Sequence, residues 1–274
     1  DDAPGRVYKT SDGGANWSNS GVNDGLAAVN LRAVLVHPNG ASSSGGAGGN
    51  AGDAQAGGGT AGSGGTAGSS DGGGKTGLES ALESQGFLVQ QGAFRLLDLS
   101  DCCSAGKSCS GNNPTSPYAA FHVPRAPGQT AANLNEDSAG LAASYRLRAD
   151  EAVIWVGTTP PDARYFGFTP YLMDRQQSAG VRKPVFASLS ETLNQLVIQV
   201  GGASDPFEAP VAIIAATDQT TVSDATAALV ASGVAATAIN TLTFDPSLVK
   251  LGVEDSAETV GVLFRSPSRV SSCV

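Results

Sequence analysis

The glycines of this chain divide it. Residues 40–77 hold 17 of its 36 glycines and contain no Leu, Ile, Val, Phe, Tyr or Trp. A segment without large apolar side chains buries no apolar surface, so nothing offsets the entropy of ordering it. A Gly/Ser-rich coil reaches about 5–6 Å × √n, which gives this one a mean span of roughly 35 Å. The composition predicts a flexible linker with two unlike pieces on either side, residues 1–39 and residues 78–274. The second piece is long enough to bury a sizeable core. Near the end of the linker, Gly72-Gly73-Gly74-Lys75-Thr76 imitates a phosphate-binding loop. The first glycine of that motif would fall at Ser69, and no apolar strand precedes it, so the match is one of composition.

Acidic residues outnumber basic ones 25 to 16, for a net charge of -9. Nucleic-acid affinity rests on neutralising phosphates with Lys and Arg. The chain has no basic cluster, and no nucleic-acid partner is expected. No apolar run reaches the ~18 residues of a membrane helix, so no membrane span is expected either. The chain opens Asp1-Asp2-Ala3-Pro4, without Met, basic n-region or apolar h-region. A removed leader and a fragment of a longer chain both fit that opening.

There are four cysteines, Cys102, Cys103, Cys109 and Cys273. An even number fits two disulfides with three pairings. Neighbouring cysteines rarely bridge each other, which favours Cys109 with one of the adjacent pair and Cys273 with the other. Four buried free thiols are the alternative. A metal is not expected, because the C-C-x5-C spacing is not that of a zinc knuckle and His122 is the one imidazole nearby. No cofactor motif is present. Together with the linker, the cysteines point to an extracellular or cell-surface protein, and linkers of this kind resemble those of secreted bacterial surface proteins.

In the N-terminal piece, Arg6 to Thr10 alternates like a strand, Ser11-Asp12-Gly13-Gly14 reads as a turn, and Asn16-Trp17-Ser18 restarts a strand. Leu31 to Pro38 reads as another strand. Thr10-Ser11-Asp12-Gly13-Gly14-Ala15-Asn16-Trp17 fits S/T-x-D-x-G-x-x-W, and on those residues the segment 5–38 resembles the Asp-box (BNR) repeats of sialidase-like β-propellers. The resemblance implies a partial propeller blade in which Asp12 forms the turn and takes no part in catalysis. The arginine triad and nucleophilic tyrosine of sialidases have no counterparts here.

Residues 78–274 predict an α+β (mixed α/β) domain. One strand or a hairpin is expected at 86–99, and strands at 118–123, 144–148, 152–157 and 164–168, joined by short turns as an antiparallel β meander. Ser188-Leu189-Ser190-Glu191 reads as a capping box opening a helix to Leu196, followed by a strand at 197–200. The apolar run 211–217, a helix over 221–232 stopped by Gly233, and a strand at 241–244 form a βαβ-like unit. A last strand covers 260–265.

Two functions from different classes fit these features. The first is a secreted or cell-surface binding or structural module that recognises an extracellular polymer, glycan or protein. The second is a secreted hydrolase of an ester or glycosidic bond. The hydrolase would use His122, which alternation turns away from Phe121 and Val123, with Asp101 or Ser108 of the 98–117 loop. Otherwise it would use carboxylates near 162–174, Asp162 first among them. No G-x-S-x-G elbow is present. For a binder, Asn112 and Asn113 offer amides on the loop, Arg164 and Arg175 offer forks for an anion, and Tyr165 and Tyr171 offer stacking faces. Asp218, at the carboxyl end of the apolar run, is either a ligand group or a helix-start residue.

Overall fold

Val211 to Ala216 carries no polar side chain, and a strand of that kind must be covered on both faces. A computed structural model of the chain covers it on both. The structure describes residues 77–96 and 118–266, together with the backbone of strands at 7–9, 18–20 and 32–38.

In chain order the strands are β1 (Val7–Lys9), β2 (Ser18–Ser20), β3 (Arg32–Pro38), β4 (Phe87–Gln91), β5 (Ala93–Leu96), β6 (Tyr118–His122), β7 (Ala152–Thr158), β8 (Gly167–Ser178), β9 (Val181–Ser188), β10 (Leu193–Asn194), β11 (Pro210–Ala216), β12 (Ile239–Thr243) and β13 (Thr259–Arg265). The α-helices among the described residues are α1 (Gly77–Ser84) and α2 (Gln219–Ala231). One sheet has the order β12-β11-β7-β3-β4. The other has the order β10-β8-β13-β6-β5, with β9 also paired to β8. β1 and β2 pair antiparallel by themselves, Val7 opposite Ser20.

The two sheets pack face to face. Val153, Trp155, Val211, Ile213 and Leu242 of the first meet Phe121, Phe168, Val260, Val262 and Phe264 of the second. Trp155 lies at the centre, with ring centroids 5.1 Å from Phe168, 5.5 Å from Phe94 and 6.0 Å from Phe121. Alternation sends Ala152, Ile154, Ala212 and Ile214 to the opposite face, where α1 and α2 cover them with Leu82, Val222, Ala225 and Leu229. Asp218 is the N-cap of α2 and accepts from the Thr221 amide at 2.7 Å, so it serves the helix start.

Strands take 39% of the structure and helices 16%. The expected α+β class is therefore corrected to a mostly-β fold of antiparallel and mixed sheets. The meander is corrected as well. β4 and β7 lie in one sheet, β5, β6 and β8 in the other, so consecutive strands change layers instead of pairing in series. Among the described strands, β11 and β12 are the parallel pair, with α2 between them at the sheet's edge; the strands around them are antiparallel. β3 sits between β7 and β4, so residues 32–38 share a sheet with residues on the far side of the expected linker.

Two local expectations also change. Ser188 ends β9, the Leu189 amide donates to Pro170 O at 2.9 Å, and Leu193 pairs with Phe168. Leu189 and Leu193 share a face in a strand as well as in a helix, and the open edge of β8 draws this segment into the sheet. Residues 197–200 form no strand. Conversely, α1 falls where no helix was expected. Its signal was Leu78, Ala81 and Leu82 on one face and Gly86 beyond the end. Gly86 has φ 87 and donates its amide to Glu83 O at 2.9 Å, a helix stop that suits glycine.

Candidate functional site

The sandwich is closed along one side and open along the other. On the closed side the chain passes from β4 through Gly92 into β5, crossing from one sheet to the other. On the open side the edge strands β12 and β10 do not pair, and a seam of about 460 Å³ runs between them. That volume is in the range of binding clefts.

One wall of the seam is β12, Ile239 to Thr243; the other is Ser190 to Leu193 with Val197 and Gln199. Asn240 closes one end. Its Nδ2 donates to Gln199 O at 2.9 Å, and its Oδ1 accepts from the Gln199 amide at 2.7 Å. The amide side chain thereby copies a backbone ladder contact between the walls. On the far wall Thr169 and Thr192 share a hydroxyl hydrogen bond of 2.8 Å. Gly167 lets Thr192 and Tyr165 approach its Cα from the side where any other residue would place Cβ. The lining is rich in hydroxyls and amides, with one carboxylate, Glu191. Leu196 and Val197 stand beside it 84% and 60% exposed.

The structure disperses the residues singled out from the sequence. Asp101, Cys102, Cys103, Ser108, Cys109, Asn112, Asn113 and Cys273 lie outside the described residues, as do Asp12 and residues 40–76. His122 ends β6 on the same sheet face as Arg95. It stands roughly 13 Å along the strand from Tyr118, the first described residue of β6. Its ring nitrogens are buried, and neither bonds a described residue. Burial lowers the His122 pKa, the Arg95 charge lowers it further, and Asp137 opposes both. Asp137 is itself engaged. It pairs with Arg95 and accepts from the Ala139 and Leu141 amides at 2.8 and 2.9 Å.

Asp162 and Arg164 are exposed and Tyr165 half-buried in the turn before β8. Gln195 ties this turn to the seam wall, accepting from the Phe166 amide at 3.3 Å. Tyr171 and Arg175 share one face of β8, with Arg175 roughly 26 Å up the strand from Gly167. Asp162, Arg164, Tyr171 and Arg175 therefore do not converge. Arg175 pairs with Glu258 and donates to Leu248 O at 3.3 Å. Tyr171 stacks on Phe186, with centroids 4.7 Å apart and planes at 13°. Phe186 is 53% exposed and has φ 56, at the bulge where β9 takes an extra residue opposite β8. Bulges of this sort re-aim side chains, and here the result is an exposed aromatic pair.

Asp174 is 2% exposed. It accepts from Arg182 Nε and Nη2 at 2.8 and 2.6 Å and from Thr259 Oγ1 at 2.7 Å. Burial raises its pKa, but these hydrogen bonds and the Arg182 charge outweigh burial and hold it below the usual carboxylate range. A carboxylate held in this way binds structure together and is not placed to move protons.

The sequence reading missed the seam. Ser190, Glu191 and Thr192 fell in an expected helix, and Thr241 and Thr243 read as ordinary strand residues. The available signal was that Ile239 to Thr243 is a β-prone segment without lysine or proline. No group of three or more candidate metal-ligating side chains occurs among the described residues, and no helix among them is long and apolar enough to cross a membrane. No family model, curated protein or solved structure matches the chain.

Proposed function

We propose that the chain is a secreted or cell-surface binding module that recognises an extracellular polymer, glycan or protein through the seam between β12 and β10. The observation that carries this reading is the seam itself. It is a cleft of about 460 Å³ whose walls come from the two sheets and whose lining combines hydroxyls, amides and a single carboxylate with the aliphatic side chains of Leu193, Val197, Ile239 and Leu242. In sites of that mixed chemistry the apolar groups supply contact area and the few polar groups orient the ligand by hydrogen bonds. Hydrolysis finds less support. A nucleophile and its base must lie within hydrogen-bond reach, and among the described residues His122 has no such partner. Asp174, the buried carboxylate of the 162–174 region, is committed to Arg182 and Thr259. The Asp-box likeness of residues 5–38 remains part of the proposal, supported by the antiparallel pairing of β1 with β2 on either side of the motif.

The test applies the full chain and its Thr243→Trp variant to a glycan array and a peptide array. Thr243 is exposed and lines the seam, so the indole fills the cleft without entering the core. Binding on either array that the substitution removes supports the reading. Binding that survives it places the ligand elsewhere, and silence on both arrays sinks the proposal.

A further inference from the structure

Among the described strands, β12 pairs with β11 alone. The Phe244 amide donates to Ala216 O at 3.4 Å. In a parallel ladder, residues bonded to one neighbour alternate with residues whose N–H and C=O point the other way. Leu242 and Asn240 therefore turn toward β11 with Phe244. Thr241 and Thr243 present their backbone N–H and C=O to the seam, where no described strand receives them. Proteins guard edges of this kind with Lys, Pro, a bulge or a covering segment. Ile239-Asn240-Thr241-Leu242-Thr243 has neither Lys nor Pro, and its register with β11 is unbroken. The opposite wall, which could have covered the edge, stands off across the seam.

We propose that the seam takes an extended peptide bearing a Lys or Arg, which adds to β12 as a further strand of its sheet. The proposal rests on reading the seam as the binding site and names its ligand class. Backbone donors and acceptors alternating at strand spacing are the complement of another backbone. A glycan would offer hydroxyls at no such repeat. The charge requirement comes from Glu191, the one charged residue lining the seam, with no Lys or Arg to neutralise it. The chain's net charge of -9 likewise favours a positively charged partner.

The test uses the full chain and three hexapeptides: acetyl-Thr-Val-Lys-Val-Thr-Val-amide, its Lys→Glu counterpart, and the lysine peptide N-methylated at alternate amides. Binding is read by isothermal titration calorimetry and by hydrogen exchange at single amides. The lysine peptide is expected to saturate, and to slow exchange at Thr241 and Thr243 while leaving Leu242 unchanged. Glu191→Gln is expected to weaken it roughly two- to fivefold, the range of an exposed ion pair. The glutamate peptide should bind more weakly, and N-methylation should abolish binding. No saturation by the lysine peptide up to about 1 mM, the weak end of specific association, overturns the proposal, as does equal binding of the N-methylated peptide. If a glycan then binds in a Thr243→Trp-sensitive way, the seam remains the site and the peptide reading alone falls. A dimer of the chain that the peptide cannot disrupt would put a second copy in the seam and likewise overturn it.

Discussion

Replacing Asp174 by Asn tests the buried charge pair that joins β8, β9 and β13. The substitution keeps the shape and removes the charge. Arg182 then loses its counter-ion and keeps two carbonyl acceptors, Asp255 O at 2.6 Å and Ala257 O at 2.8 Å. The guanidinium of Arg146, 2% exposed, also acts on Arg182, so two cations would face each other with one carboxylate fewer between them. Breaking a buried pair from one side costs about 3–5 kcal/mol. Arg182 has a side chain 21% exposed, and water reaches part of it, which puts the expected loss near the low end, about 3 kcal/mol. With a urea m-value on the order of 2 kcal/mol/M, the midpoint should fall by about 1.5 M. Fluorescence of the buried Trp155 reports the transition. The pH dependence supplies a second check. Asp174 has its pKa lowered from 3.8, so between the folded and unfolded values the unfolded state binds more protons. The pair's contribution is complete above the unfolded value and is lost as pH falls through the folded one. The difference between wild type and variant should therefore begin to shrink only below about pH 4 and vanish once pH falls below the folded value. A midpoint shift under about 0.3 M at neutral pH, worth roughly 0.6 kcal/mol, would refute the reading of Asp174 as a buried, charged partner.

Two further outcomes follow from single side chains. The His122 pKa is lowered from 6.5, so the unfolded state takes up the proton first. Stability should fall as pH drops from about 6.5 toward the folded value and level off below it. His122→Phe should flatten that part of a thermal-stability profile, and a variant that keeps the wild-type slope would show that another group is responsible. Gly261 lies where a Cβ would overlap the Ala143 carbonyl oxygen and press on Met173. Gly261→Ala should cost about 1–3 kcal/mol as an overpacked site, read by urea denaturation, and an unchanged midpoint would mean that the 142–145 segment does not lie on β13.

Several elements are legible in the residues themselves, and for local reasons. The apolar run now seen as β11, the helix capped by Asp218 and the strand ending at Arg265 each carry their signal within a few residues, in side-chain period, capping group or β-branching. Composition alone marked residues 40–77 as lacking anything to bury. Which strands are neighbours became visible only in the folded chain. Strand pairing depends on backbone groups that look alike at every position, so the pattern of Phe87 to Leu96 does not say that this run crosses from one sheet to the other at Gly92. Nor does the pattern of Leu189 to Leu193 choose between helix and strand, because residues four apart share a face in both. The candidate site follows from those pairings. Glu191 and Thr243 are distant in the chain and unremarkable within their segments. They line one seam because one side of the sandwich closes through β4 and β5, while on the other no described strand pairs with the outer edge of β12.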